Sequence, residues 1–179
     1  MALTATVHHV DLTVSDVDRG VYETLDLRLA RHPSESVRRL VTRTLAYALS
    51  YEEGISFSPG GVSSPDEPAI AVRDPTGLLV AWIDVGSPSA DRLHRAAKAA
   101  SRVAVFTDDA AHVRREAASR PIHRAGEIAI WGIEARLLGK LEEALGRRAS
   151  MEVARNDGRL YVTVDGALHE GGIELARLT

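Results

Sequence analysis

The run Leu78-Leu79-Val80-Ala81-Trp82-Ile83 constrains this chain more than any other feature, because consecutive apolar residues give a strand two hydrophobic faces. Such a strand belongs inside a sheet that is covered on both sides. Asp84 ends the run, and Asp74-Pro75-Thr76-Gly77 in front of it, with proline second and glycine fourth, is a turn leading back to a partner strand over Glu67–Arg73. Downstream, helical patterns at 89–101, 109–118 and 134–145 alternate with apolar strands at 102–107 and 127–131. That βαβα order predicts parallel strands with crossover helices. On this reading Trp82 is largely buried with its indole N–H paired or at a cleft edge, and replacing Val80 by alanine costs about 1–3 kcal/mol through lost methyl burial and a residual cavity.

The two ends of the chain read differently. Residues 2–14 alternate, with Leu3, Val7 and Leu12 among threonines and histidines, and 21–30 repeat the pattern after Ser-Asp-Val-Asp-Arg-Gly, which predicts a β-hairpin. From His32 the period changes. Pro33 suits a first helical turn, Ser34 is placed to cap, Glu35 favours the positive helix end, and Val37, Leu40, Val41, Leu45 and Ala48 form one stripe, so a helix is expected to about Tyr51. The Gly, Pro and Ser-rich stretch 58–68 is a loop at a rim. The tail after Met151 carries an Asn156-Asp157-Gly158 hairpin and a third strand from about Leu168. Together these features predict a single α/β domain over 1–179, a mixed sheet with flanking helices, decorated by antiparallel strands from both termini.

Composition removes several classes of function. A chain of 179 residues buries about 70% of its unfolded surface, enough for one sizeable core. With no cysteine, thiol catalysis and thiolate metal sites are closed. Lys plus Arg total 22 against 25 for Asp plus Glu, so any binding to nucleic acid has to be local. Aromatic residues make up 4%, too few for a platform that stacks successive unpaired bases. Phosphate-loop, dinucleotide and serine-hydrolase motifs are missing, and no pair of the 7 histidines has zinc-protease spacing, so surface or edge-strand histidine is the default. No signal peptide or membrane-length apolar run is evident, and a cytoplasmic location is expected.

Chemistry concentrates around Glu35, Asp66, Glu67 and Asp84, followed by Arg92, Arg95 and Lys98 on the next helix. If the 74–77 turn is a two-residue loop, Glu67 falls opposite Asp84 on one face, and opposed carboxylates call for a shared proton, a cation or an arginine. A divalent metal held by oxygen is then the sharp reading. A turn with Gly77 as a bulge slips the register by one and sends Glu67 to the other face. The plain alternative makes Asp66 and Glu67 solvated loop acids and Asp84 a cap or a partner of Arg95. Glu35 lies near Arg39 and Thr42 on the helical wheel, where the helix dipole alone justifies it. Arg38, Arg39 and Arg43 share what reads as the exposed part of one helix, and with Arg92 they suit phosphate. Arg114, Arg115, Arg120 and Arg124 read as solvated surface.

The opening Met1–Val7, Leu-Ala-Arg-His-Pro-Ser-Glu-Ser at 29–36, Asp-Glu-Pro at 66–68, Trp-Ile-Asp-Val-Gly at 82–86 and the serine-proline-initiated helix with Arg92 and Arg95 resemble the YaeQ family over nearly the whole chain. That resemblance implies a variant of the PD-(D/E)XK nuclease fold. Asp84 matches the second acid of that site, Glu35 the helix glutamate, and Glu67 or Asp66 the first acid. Gly86 stands where a lysine is expected, so Arg95 or Lys98 would substitute, and arginine stabilises charge but cannot act as a base.

Two functions follow from the resemblance. One is a Mg²⁺- or Mn²⁺-dependent phosphodiesterase acting on nucleic acid, with Glu67 and Asp84 holding the metal, the Val85 carbonyl adding a ligand, and Arg39 and Arg92 on phosphate. The other is a non-catalytic descendant that binds nucleic acid or a protein through the same cleft. The missing lysine favours the second.

Overall fold

The computed structural model describes residues 4–59 and 64–178. Leu3 and the centre of the Gly/Pro/Ser-rich loop lie outside the described residues. Along the chain run β1 (Thr6–Asp16), β2 (Val21–Arg31), α1 (Val37–Leu49), β3 (Ile55–Phe57), β4 (Ile70–Arg73), β5 (Leu79–Val85), α2 (Ala90–Ala99) and β6 (Arg102–Thr107). There follow α3 (Ala110–Ala117), β7 (Ala129–Ile133), α4 (Ala135–Ala144), β8 (Arg148–Asn156), β9 (Arg159–Val164) and β10 (Ala167–Arg177). Among the described residues no helix is long and apolar enough to cross a bilayer. The chain divides into two compact units, Met1–Tyr51 with Glu134–Ile173 and Glu52–Ile133 with Glu174–Thr179.

In the first unit the strand order is β2-β1-β8-β9-β10. The β1–β2 hairpin is in register from Thr6↔Arg31 to Asp16↔Val21, as the alternation predicts, and Val10, Leu12 and Val14 face the core. β8 and β9 meet through the Asp157-Gly158 corner, both residues at positive φ, which suits a hairpin turn. The terminal hairpins are antiparallel internally, but β1 and β8 pair in parallel, His9↔Arg148 through Asp16↔Arg155, and so join the two ends of the chain in one sheet.

Helix α1 packs against α4, β1 and β8. Ser36, not Ser34, is its N-cap, accepting from the Arg39 N–H at 3.1 Å, while the Ser34 hydroxyl is 2.6 Å from the His32 ring. Glu35 therefore precedes the helix. Every residue from Leu40 to Leu49 is buried, polar ones included. Thr42 and Thr44 meet this by donating to the carbonyls of Arg38 and Leu40, both at 2.8 Å. His8 corrects the surface expectation for histidine, because it sits on the inward face of β1, 5% exposed, with Nδ1 3.1 Å from the Gly146 carbonyl.

In the second unit the order is β7-β6-β5-β4-β3. β5, β6 and β7 are parallel, as the βαβα pattern predicts, and β3–β4–β5 are antiparallel. Helices α2 and α3 start at Ser89 and Asp109, each side chain accepting from the N–H three residues on. The core gathers Trp82, Leu93, Val103, Val105, Val113, Ile128 and Ile130.

The apolar run is central only in its second half. Ala81 to Val85 are buried, while Leu79 and Val80 are half-buried and Leu78 is 63% exposed. The cause is strand length: pairing with β6 begins at Ala81↔Arg102, so residues 78–80 run ahead of their neighbour and lose its cover. The cost of Val80→Ala is therefore revised to below about 1 kcal/mol, against about 2–4 kcal/mol for Ile83→Ala, whose side chain is enclosed. Urea denaturation of both variants checks this, and equal losses would contradict the burial pattern.

Candidate functional site

The hairpin that carries Asp84 has neither of the two single registers read from sequence. At the turn, Gly77 adopts φ +89°, its N–H donates to Asp74 at 2.9 Å, and Arg73 pairs with Leu79, as the bulged alternative requires. A second shift between Val72 and Arg73 then moves Ala71 opposite Trp82 and Ile70 opposite Ile83. Asp84 thus faces the Ala69 N–H, which donates to its Oδ1 at 3.1 Å. Glu67 lies before β4 begins and contributes its backbone carbonyl to the site.

Asp84 is 2% exposed and its carboxylate receives four donors. Oδ1 accepts from Ala69 N–H and from Arg92 Nη2 at 2.9 Å; Oδ2 accepts from Trp82 Nε1 at 2.9 Å and from Arg92 Nε at 2.7 Å. Trp82 is buried with its indole N–H paired, as expected, and the Arg92 guanidinium lies 5.3 Å from its ring centroid. Arg92 also donates to the carbonyls of Ser64 at 3.0 Å, Pro65 at 3.2 Å and Glu67 at 2.6 Å. One guanidinium therefore ties the end of β5 to the loop that leads into β4. Arg92 occupies the first turn of α2, one turn past Ser89, and this placement brings its fork over Asp84.

That geometry does not fit a divalent cation at Asp84. An ionised carboxylate offers about four lone-pair sites, and all four are taken by N–H donors. A cation at about 2.0–2.6 Å would have to displace Arg92. Among the described residues no three His, Asp or Glu side chains form a group able to hold a metal ion. Gly86, at the position of the expected lysine, has φ +85° and donates its N–H to Phe106, so a lysine there would be strained by the backbone alone.

The remaining candidates divide by unit. In the second unit, Arg95 and Lys98 are exposed on α2, one turn apart, and Arg95 reaches the 83%-exposed Asp66 only at 3.5 Å. Burial first, and then the charges of Lys98 and Arg120, hold the neighbouring His94 imidazole below its ordinary value, with Asp91 opposing. Arg95, Lys98 and Arg120 stand on that edge together with the acids Asp66 and Asp91.

In the first unit, Glu35 is 2% exposed and lies between two arginines. Oε2 accepts from Arg39 Nη1 at 2.6 Å and Arg43 Nε at 3.1 Å, and Oε1 from Arg43 Nη2 at 2.9 Å. Arg39, read as a phosphate ligand, is thus engaged by a carboxylate. Arg43, read as exposed, is 6% exposed, because its charge is neutralised inside the unit.

One buried arginine escaped the sequence reading. Arg155 binds Asp16 through Nε at 3.0 Å and Nη2 at 2.5 Å, across 139 positions of sequence, and Arg19 Nε meets the same carboxylate at 2.8 Å. The parallel β1–β8 register that makes the first contact had no local signal. Arg124 is also not plain surface. In the left-handed region at φ 49°, it donates to the carbonyls of Ala97 and Ala100, both at 2.8 Å, and so closes the C-terminus of α2.

Comparison with known proteins agrees with this fold. A family model described as YaeQ protein matches residues 1–171. The uncharacterized protein YaeQ of Escherichia coli K12 is 29% identical over 167 residues, 92% of each chain. That of Salmonella typhi is 30% identical over 165 residues, 91% of each chain. The crystal structure of YaeQ from Xanthomonas axonopodis pv. citri superposes with a TM-score of 0.82 at 27% identity, covering 98% of this chain and 100% of that one. For YaeQ from Pseudomonas syringae the TM-score is 0.83 at 30% identity, covering 98% and 96%. With the match running through nearly all of its length, from the β1–β2 hairpin into β10, the chain belongs to the YaeQ family.

Proposed function

We propose that this protein binds nucleic acid through phosphate contacts and does not hydrolyse it. The observation that carries the reading is the fourfold hydrogen bonding of Asp84. In a nuclease-like site that carboxylate would have to hold a metal, and here it anchors Arg92 instead. Gly86 adds to this, since the cation that would steady attacking water is missing from β5. The exposed cations Arg95 and Lys98, one turn apart on α2, supply the local positive charge that an acidic chain needs to meet a polyanion.

Fluorescence anisotropy with labelled duplex DNA and RNA over a salt series tests the reading, with the same mixtures run on gels after incubation with Mg²⁺ or Mn²⁺. The expected result is intact nucleic acid, with binding that weakens for all sequences alike in Arg95→Ala/Lys98→Ala and a salt slope reduced by about 2. Unchanged binding in the double variant would overturn the binding face. Metal-dependent cleavage that disappears in a folded Asp84→Asn protein would establish the phosphodiesterase instead.

A further inference from the structure

We propose that the groove along α3 and the segment after it binds a small amphiphile with an aliphatic body and a single carboxylate head, of the class of medium-chain fatty acids. The groove has a volume of about 720 Å³, a size that takes small organic ligands. Its floor is the core itself: Ala117 and Leu178 belong to the buried cluster, and Ile122 and Ala125 pack against it. Alanines at 111, 117 and 118 leave this side of α3 without bulk, so the depression is not filled by the unit's own side chains. No aromatic residue is among the described residues lining it, which suits an alkyl chain better than a flat ring.

Charge selects the head group. Arg114, Arg115 and Arg120 line the same groove, and no carboxylate is among the described residues lining it. Arg120 meets Asp91 in an exposed pair, which is weak and leaves most of the guanidinium's capacity for a carboxylate. Arg115, in the last turn of α3, offsets the helix dipole and also lines the groove beside Ala118. An aliphatic trough with a one-sided arginine rim is complementary to an aliphatic acid. This inference does not depend on nucleic-acid binding by α2.

Isothermal titration of the full chain with decanoate, decanol and acetate decides it. Decanoate is expected to bind one per chain. Decanol, which keeps the chain and loses the charge, should bind about tenfold more weakly, since charge-assisted hydrogen bonds are gone. Acetate should show no heat. Ala118→Trp, at an exposed position that tolerates bulk, should abolish decanoate binding, and Arg115→Ala/Arg120→Ala should bring decanoate down to the affinity of decanol. Decanoate binding that survives Ala118→Trp, equal affinity for decanol, or no decanoate heat at all would each overturn the proposal. Ala111→Phe, from the other end of the groove, provides an independent block should Ala118→Trp fold poorly.

Discussion

Replacing Arg92 by alanine is expected to destabilise the protein by about 3 kcal/mol, the low end of the range for breaking a buried ion pair. The low end applies because the Arg92 side chain is 20% exposed, whereas the Asp84 side chain is 4% exposed and cannot find water when its partner is gone. The loss has two parts. Asp84 is left as a buried charge with only the Ala69 and Trp82 N–H groups, and the carbonyls of Ser64, Pro65 and Glu67 lose their common donor. Arg92→Lys should recover little, because an ammonium cannot present a planar fork to a carboxylate and three carbonyls at once. Urea denaturation measures the stability change, and limited proteolysis should show earlier cutting near 64–67. A loss below about 1 kcal/mol would mean that Arg92 is an ordinary surface cation.

Asp16→Ala should cost still more, about 3–5 kcal/mol, because Arg155 is then a buried cation. The Asp16 side chain is fully buried, Arg155 is 5% exposed, and Asp18 at 3.9 Å is too distant to take over. The same group gives a pH dependence. Burial alone would raise the Asp16 pKa, but hydrogen bonds and charge from Arg155 and Arg19 outweigh it and hold the carboxyl below its ordinary value of 3.8. A lowered pKa in the folded state means that the pair's contribution is complete above pH 3.8 and is lost as pH falls through the lowered value. Stability measured down this acid range should therefore drop more steeply in the wild type than in Asp16→Asn. Parallel curves would contradict the assignment.

What could be read from sequence follows the range of the interactions involved. β6, α2 and α3 were legible because period and flanking turn all lie within a dozen residues: the helical patterns that begin at 89 and 109 start on the residues that cap them, and residues 102–107 form the strand they spell. The parallel β5–β6–β7 order was legible from the alternation of elements. The β4–β5 register was not. Gly77 announced one shift, but the second, between Val72 and Arg73, has no glycine to mark it, and it moved Ala69 rather than Glu67 opposite Asp84.

The partners of the candidate acids were hidden for a related reason. Acids were visible in the sequence, but their neutralising partners depend on tertiary placement. Glu35 needed Arg43, two turns along a helix that is buried all round, and Asp84 needed Arg92 to swing across from the next helix. Charged residues on a helix ordinarily mark its solvated face, and α1 departs from that rule because Glu35 and Arg43 neutralise each other where α4, β1 and β8 cover the helix.

Calorimetric titration of Mn²⁺ into the wild type and Asp84→Asn tests most directly whether Asp84 is an anchor or a metal ligand. With the carboxylate filled by Ala69, Trp82 and Arg92, both proteins should give the same weak heats, and Asp84→Asn should differ from wild type in stability alone. A stoichiometric Mn²⁺ site present in the wild type and absent from a folded Asp84→Asn protein would contradict the account.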